Sequence, residues 1–235
     1  MTHDRSPHTL RVVSYNVRAF KDDTDALTEI IATLRPDVLL VQEAPRHPFS
    51  GHRIAGFADR IGMTWSGGKR GWMSTTLLTA LRLDVHDFEH RNLKVRKGDE
   101  PRGYAIATVA LPAHKPVHVA SLHMSLRGDE RKPQATDVVQ ALALDRMPAI
   151  IGGDLNETPG HDVWKLFGEN LHEVSPDQFT FPSKAPVKRI DAIFASAALP
   201  FSIPVIELDP EKLAAATDHL PITVDFDLAG LAKGA

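Results

Sequence analysis

Runs of apolar residues alternate with a segment of helical spacing at the start of the chain. Residues 10–17 (LRVVSYNV) and 38–41 (VLLV) are rich in Val and Leu, and both are typical of buried β-strands. Between them, two acids precede apolar residues that recur at helical spacing from 26 to 34, and Pro36 ends the predicted helix. This strand–helix–strand order indicates a layered α/β architecture.

The rest of the chain predicts strands and helices in a less regular order. Strands are predicted at residues 104–111, 117–122, 149–152, 190–195 and 222–226, and two more are expected within 72–85. Short helices are predicted at 54–61, 134–144 and 162–167. The polar stretch 86–103 predicts a long loop, and long loops in compact domains are often functional.

No internal repeat or polar linker divides the chain. We therefore predict a single domain over residues 9–228, with flexible tails at 1–8 and 229–235. No run reaches the roughly 18 apolar residues of a membrane span, and the first residues lack the apolar core of a signal peptide. The sequence predicts a cytoplasmic protein with no membrane span and no evident obligate protein partner.

The composition of the 235 residues narrows the chemistry. The absence of Cys excludes disulfides, thiolate metal sites and a Cys nucleophile. The net charge of −3 gives no support to extensive binding of duplex DNA. One basic cluster, within 91–102, fits equally a phosphate-binding loop and a solvated loop balanced by its own acids. Trp65 and Trp72 could stack a base, although a core position is more common for Trp.

Polar residues occur where several predicted strands end. They are carboxylates, amides and imidazoles, namely Asn16, Glu43, His123, Asp154, Asn156, Asp191, Asp218 and His219. Alone, each Asp or Asn would be interpreted as a turn former or a helix cap. A carboxylate beside an apolar strand is costly unless it is paired, hydrogen-bonded or bound to a metal. Because such polar residues occur at so many strand ends, the sequence predicts one shared polar site along one edge of a sheet.

The residue types in this set suit a hard cation. Carboxylate and amide oxygens without thiolates favour Mg²⁺ or Mn²⁺. Asp154 and Asn156 are two positions apart, so both point to the same face if the chain is extended there. The pair Asp218-His219 places a cation ligand beside an acid–base group. Metal-assisted hydrolysis of a phosphoester requires these parts.

Six short motifs occur in order along the chain: YNV, LLVQE, SLH, GGDLNETPG, RIDAIF and TDHLP. In this order they resemble the successive signatures of the endonuclease/exonuclease/phosphatase superfamily, the Mg²⁺-dependent phosphoesterases related to DNase I and AP endonucleases. The resemblance runs from residue 10 to residue 226. It implies an α/β fold of four layers, a DNase I-like sandwich in which two packed mixed β-sheets are flanked by helices.

The resemblance also implies roles for individual residues. The metal would be held by Glu43 as the principal ligand, with Asn16 and Asp218. The catalytic residues would be Asp154, which orients or deprotonates the attacking water, and Asn156, His219, Asp191 and His123. Asp191 would orient His219. The substrate phosphate would be bound by Asn16, Arg102, His123 and Asn156.

The predicted function is a Mg²⁺- or Mn²⁺-dependent phosphoesterase that hydrolyses a phosphodiester or phosphomonoester by direct attack of water. Its substrate would be nucleic acid, a lipid headgroup or a small molecule. One alternative is a DNA or RNA nuclease of the same fold. Another is a catalytically inactive binding module, which the intact set of site residues disfavours. Arg18 departs from the pattern of AP endonucleases, which have an acid at that place.

Overall fold

The computed structural model describes residues 5–46, 49–67, 73–144 and 146–233. The strands, in chain order, are β1 (Thr9–Asn16), β2 (Val38–Gln42), β3 (Met63–Thr64), β4 (Thr76–Ala80), β5 (Asp84–Leu93), β6 (Arg102–Ala110), β7 (Val117–His123), β8 (Ala149–Asp154), β9 (His172–Glu173), β10 (Asp191–Ala195), β11 (Phe201–Ser202) and β12 (Ile222–Asp227). The α-helices are α1 (Thr24–Leu34), α2 (Ser50–Arg60), α3 (Gly128–Leu142), α4 (Asp162–Asn170) and α5 (Pro210–Ala216).

The strands form two six-stranded sheets. The first sheet has the order β11-β12-β1-β2-β4-β3, and the second has the order β5-β6-β7-β8-β10-β9. In the first sheet β1 and β2 run parallel, and in the second β7 and β8 run parallel. The other neighbouring strands are antiparallel, so both sheets are mixed.

Three apolar layers hold the sandwich together. Val12 and Leu40 of the first sheet lie in the same buried cluster as Val119 and Ile150 of the second, so this cluster lies between the sheets. A second cluster joins α1 and α2 to the first sheet, and a third joins α3 and α4 to the second sheet. The predicted fold of two packed mixed sheets flanked by helices is therefore confirmed.

The first helix shows how the local sequence sets the boundaries of an element. Asp23 precedes α1, and its side chain accepts hydrogen bonds from the backbone N–H groups of Asp25 and Ala26. The helix ends at Leu34. The next residue, Arg35, adopts a left-handed conformation directly before Pro36. The helix predicted from the apolar spacing is found within these limits.

The loop predicted over 86–103 is wrong at both ends, because residues 86–93 belong to β5 and residues 102–103 belong to β6. Strand β5 lies at the edge of the second sheet and pairs antiparallel with β6. Most of its side chains are exposed or half-buried, and Leu93 is buried at its end. An edge strand with polar side chains resists pairing with another chain, so its sequence is polar although its backbone is extended. The true loop covers only residues 94–101.

Two helices differ from the prediction. The helix expected at 134–144 begins six residues earlier, at Gly128, and contains Pro133. The short helix α5 was not expected, although Asp209 caps it and Pro210 occupies its first turn. Of the stretch 72–85, β4 and the start of β5 are strands, and Trp72 lies outside the described residues. None of the described helices is long and apolar enough to cross a membrane.

Candidate active site

The polar strand ends meet at one end of the sandwich. In the second sheet, His123 at the end of β7 and Asp191 at the start of β10 both pair in register with Asp154 at the end of β8. In the first sheet, β1 ends at Asn16, and Glu43 directly follows the parallel strand β2. The two sheets therefore present these side chains at a common edge, as the sequence predicted.

Asp154 lies at the centre of this edge and is almost completely buried. Its Oδ1 accepts a hydrogen bond from the backbone N–H of Asn156 at 2.9 Å, and its Oδ2 accepts one from Nδ2 of Asn16 at 3.1 Å. Nε2 of His123 and Nε2 of His219 lie 3.5 and 3.8 Å from the same Oδ2. Burial, and then the neighbouring Asp191 carboxylate, raise the pKa of Asp154 to about 7.

His219 and Asp191 form a buried pair behind Asp154. Nδ1 of His219 lies 2.9 Å from Oδ2 of Asp191, and the ring of Phe181 packs against the imidazole with the ring centres 4.9 Å apart. Burial alone would lower the pKa of His219, but Asp191 and then Asp154 outweigh it and raise this pKa to about 10. The pair fixes the imidazole with Nε2 on the side of Asp154.

The second imidazole has the opposite electrostatic environment. His123 is fully buried, and its pKa lies well below the usual range because of burial and then because of the positive charges of Arg102, His219 and Arg46. His123 is therefore neutral at pH 7, whereas His219 is charged. The two imidazoles near the Asp154 carboxylate thus differ in charge. Asp191 stabilises the charged form of His219, whereas burial and the nearby arginines disfavour the charged form of His123.

The backbone turns sharply where the site residues leave their strands. Glu43 has a φ of 53° and Asn156 a φ of 49°, both in the left-handed region, which is unfavourable for Glu and tolerated by Asn. Gly153 approaches the neighbouring strand so closely that an added Cβ would lie 2.0 Å from the carbonyl oxygen of Leu122. The motif GGD therefore needs Gly directly before Asp154 for the two strands to pair.

The site residues line a cavity of about 570 Å³. Its wall includes seven of the residues predicted from the sequence, namely Glu43, Arg102, His123, Asp154, Asn156, Asp218 and His219. The two others, Asn16 and Asp191, are buried behind the wall and contact Asp154 and His219. The predicted convergence of Glu43 and Asp218 on Asp154 and His219 is thus present.

Arg18 reaches this site from the segment after β1. Nε of Arg18 lies 3.4 Å from Oδ2 of Asp218, and Nη1 lies 3.2 Å from Oδ1 of Asp22. The backbone N–H of Arg18 also donates to Oδ1 of Asn16 at 3.1 Å. Asp218 therefore has a counter-charge from the protein itself.

The model of the Endonuclease/Exonuclease/phosphatase family matches residues 13–219. The chain belongs to this family. Members of the endonuclease/exonuclease/phosphatase family hydrolyse phosphoester bonds, and divalent metals are typical of them. A search of curated proteins finds none that matches this sequence.

Solved structures share the fold at low sequence identity. A family protein from Bacteroides thetaiotaomicron has a TM-score of 0.74 at 18% identity and covers 93% of this chain and 97% of its own. A mannosyl-6-phosphatase from the same organism has a TM-score of 0.73 at 17% identity, with 92% and 99% covered. The human Nocturnin catalytic domain, solved with a sulfate anion, has a TM-score of 0.73 at 19% identity, with 95% of each chain covered.

The family signatures thus meet in one cavity, but some of its residues were not expected from the sequence. Phe181 packs on His219, and the hydroxyl of Thr217 donates to the backbone carbonyl of Asn16 at 2.9 Å. Oγ1 of Thr180 accepts from the backbone N–H of Asp191 at 3.4 Å. Thr217 is the first residue of the motif TDHLP, which was the sequence signal available for it.

The two interpretations left open by the sequence have structural answers. The arginines of the basic cluster contact acids: Arg91 contacts Glu89, Arg96 contacts Asp129, and Arg102 contacts Glu100. Trp65 donates from Nε1 to Oγ1 of Thr76 at 2.9 Å and packs, half-buried, against the core of the first sheet. These arginines thus have acidic partners in the free protein, and Trp65 packs against the core.

Proposed function

We propose that this chain is a divalent-cation-dependent phosphoesterase in which Asp154 activates water for direct attack on phosphorus. The main support is the environment of the Asp154 carboxylate. It is buried in the wall of a cavity, and among the described residues an amide and two imidazoles lie within 3.8 Å of its Oδ2. A buried carboxylate whose pKa is raised to about 7, although the charged His219 lies nearby, suits a group that exchanges protons with a bound water.

Asp154, Asn156 and His219 would act on the reacting phosphate together. The Asp154 carboxylate would orient the attacking water and accept its proton. Asn156 would donate a hydrogen bond, and the charged His219 would stabilise the negative charge that develops on phosphoryl oxygens in the transition state. Asp191 would keep His219 protonated and oriented, in the way that a buried acid supports a catalytic His. His123 would remain neutral and hold the substrate phosphate.

The residues present fit a hard divalent cation such as Mg²⁺ or Mn²⁺. Glu43, Asp154 and Asp218 offer carboxylate oxygens to the same cavity, and Asn16 lies 3.2 Å from Oε1 of Glu43. We assign Glu43 as the principal ligand, with Asn16 and Asp218. A bound divalent cation supplies positive charge to the phosphate oxygens and to the leaving group.

A different placement of the cation is conceivable from the distances alone. Ligand atoms of Asp154, Asp191 and His219 all lie within 4.8 Å of one another, which is close enough for a metal site. We favour the pair of Asp191 and His219 as an acid–base unit, because Nδ1 of His219 already makes a 2.9 Å contact with Asp191. Substitution of Glu43 by Gln would weaken Mg²⁺ binding under our assignment and leave it unchanged under the other.

The proposal is tested by hydrolysis of bis(p-nitrophenyl) phosphate and p-nitrophenyl phosphate with Mg²⁺, Mn²⁺ or EDTA. We expect turnover with either metal, loss with EDTA, and loss in Asp154→Asn. Glu29→Gln is the control, because Glu29 is an exposed acid on α1 that does not line the cavity. Metal-independent turnover, or no turnover of any phosphoester, would contradict the proposal, and the second result would favour a binding module.

The same hydrolysis measurements with other substrates separate a nuclease from an enzyme that acts on small phosphoesters. A nuclease would degrade single- or double-stranded DNA or RNA with an affinity that falls steeply with salt. Panels of sugar phosphates and lipid headgroup phosphates test the other substrate classes. The mannosyl-6-phosphatase from Bacteroides thetaiotaomicron makes sugar phosphates a reasonable first choice.

A further inference from the structure

An exposed carboxylate bridges two arginines at the wall of the active-site cavity. Oε1 of Glu100 accepts a hydrogen bond from Nη2 of Arg46 at 2.8 Å, and Oε2 accepts one from Nη1 of Arg102 at 3.1 Å. The Glu100 side chain is 61% exposed, whereas that of Arg102 is only 6% exposed. Glu100 and Arg102 both line the cavity that contains Asp154.

Both guanidinium groups lie near the reacting end of the cavity. Their positive charges act on the imidazole of His123 and help to keep it neutral. Nε2 of His123 lies 3.5 Å from the carboxylate of Asp154. An anion bound between the two arginines would therefore lie close to the groups that carry out hydrolysis.

The two arginines and Glu100 belong to parts of the chain that differ in how firmly they are held in the fold. Arg102 begins β6, in the middle of the second sheet, and Arg46 follows Glu43 on the segment after β2. Glu100 belongs to the loop 94–101, whose neighbouring contacts are exposed ion pairs such as Asp99 with Arg127 at 2.5 Å. Exposed ion pairs are weak, so the loop acid is more easily displaced than the cations.

We propose that Glu100 is an internal competitor for the substrate oxyanion at Arg102, the residue to which the family resemblance assigns phosphate binding, and that Arg46 completes this subsite. A carboxylate and a phosphate present oxygens to a guanidinium in the same planar geometry, and a phosphate brings more oxygens and more charge. In the free protein Glu100 neutralises a buried guanidinium, and on binding the substrate oxyanion takes its place. The subsite rests on the proposed function, but its test does not require turnover.

The test measures the binding of inorganic phosphate by titration calorimetry in EDTA. We expect Glu100→Gln to bind phosphate about twofold to fivefold more tightly, because an exposed ion pair is a weak competitor. We expect Arg46→Ala to bind it several-fold more weakly, and the double variant to bind it more tightly than Arg46→Ala, because Glu100 also occupies Arg102. The control is Asp99→Asn, since Asp99 lies in the same loop and pairs with Arg127 instead of Arg46. It should leave the affinity within about twofold of that of the parent.

A second measurement separates this subsite from the function of the whole site. With a hydrolysed substrate, Glu100→Gln should lower KM and leave kcat nearly unchanged, because the competitor opposes ground state and transition state alike. Phosphate binding that responds as expected without any hydrolysis would support the subsite and contradict the proposed function. Hydrolysis with a phosphate affinity that ignores Glu100, or that rises equally in Asp99→Asn, would overturn the subsite and leave the proposed function intact.

Discussion

Asp37 and Asp154 are equally buried, at 2% exposure, but they lie at opposite ends of the sandwich and have different partners. Asp37 directly precedes β2. Its carboxylate is contacted by Arg82 at 2.8 Å and by Arg5 at 3.2 Å, and it accepts the backbone N–H of Arg11 at 2.8 Å. Asp154 ends β8 and has an amide, two imidazoles and a second acid around it.

The comparison shows how the same residue type serves two purposes in one fold. Arginines satisfy Asp37 permanently, so its carboxylate ties the chain near residue 5 to β1 and to the turn after β4. Asp154 has no guanidinium or ammonium partner among the described residues, and burial leaves its carboxylate with a raised pKa. A buried acid such as Asp37, which arginines of the protein neutralise, has a structural role. A buried acid such as Asp154, which has no arginine or lysine partner among the described residues, marks a functional site.

Asp154→Asn should have the largest effect on turnover, and it tests the contrast between Asp154 and Asp37 directly. The amide preserves the shape of the side chain but cannot accept a proton, so turnover should fall by about a thousandfold or more. The free energy of unfolding should change by less than about 1 kcal/mol, because the burial cost of the carboxylate and its attraction to the charged His219 are removed together. The measurements are hydrolysis of a chromogenic phosphoester and urea denaturation. A stable variant that keeps a tenth of the activity would refute the role of Asp154.

Asp191→Asn should have the next largest effect. The amide can still contact Nδ1 of His219, but it no longer stabilises the charged imidazole or fixes its tautomer, so kcat should fall by about a hundredfold to a thousandfold. Stability should change little, because the side chain keeps its volume and its place. Steady-state kinetics and circular dichroism check this expectation. Parent-like turnover would mean that Asp191 does not act through His219.

Asp37→Asn should give the reverse result at the other end of the molecule. Arg5, Arg82 and the backbone of Arg11 lose their common anion, and we expect a loss of about 2 kcal/mol in the free energy of unfolding. The loss stays below that of a fully buried pair because Arg82 is partly exposed and regains water. Turnover per folded molecule should not change. A large loss of kcat without loss of stability would show that the two ends are coupled.

The sequence predicted the position of the polar strand ends better than it predicted some of the secondary structure. Asn16, Asp154 and Asp191 could be placed at one sheet edge because each adjoins an apolar run, and strand ends in a packed sheet lie together. The partners of these residues were not predictable in the same way. Asn16 and Asp154 are 138 positions apart, and nothing in the local sequence around either residue indicates that they contact each other.

The errors in the prediction have a common physical origin. Strand β5 was predicted as a loop because its outer side chains are polar, and the hydrogen bonds from β6 that hold it extended leave no trace in its own sequence. The same applies to Glu100, whose partner Arg46 lies 54 positions away. Hydrophobic pattern reports burial, whereas edge pairing and long-range ion pairs depend on tertiary structure.

Arg18 provides the smallest and most specific test of the comparison, since it places a protein cation beside the active site. Its side chain is 45% exposed, and it pairs with Asp218, one of the proposed metal ligands. Arg18→Ala should change the free energy of unfolding by less than about 0.5 kcal/mol, because exposed ion pairs contribute little. Mg²⁺ affinity, measured by titration calorimetry, should rise about twofold to fivefold, because a competing positive charge is removed.

The matched control for Arg18 is Arg60→Ala. Arg60 is a similarly exposed arginine that pairs with Asp25 at 2.5 Å and does not line the cavity. It should leave both stability and Mg²⁺ affinity unchanged. If Arg18→Ala instead weakens Mg²⁺ binding, Arg18 orients the Asp218 carboxylate for the metal. Asp218 would then need both an arginine of the protein and a bound cation. The distinction between acids that pair with arginines and acids that bind a ligand would not hold at this residue.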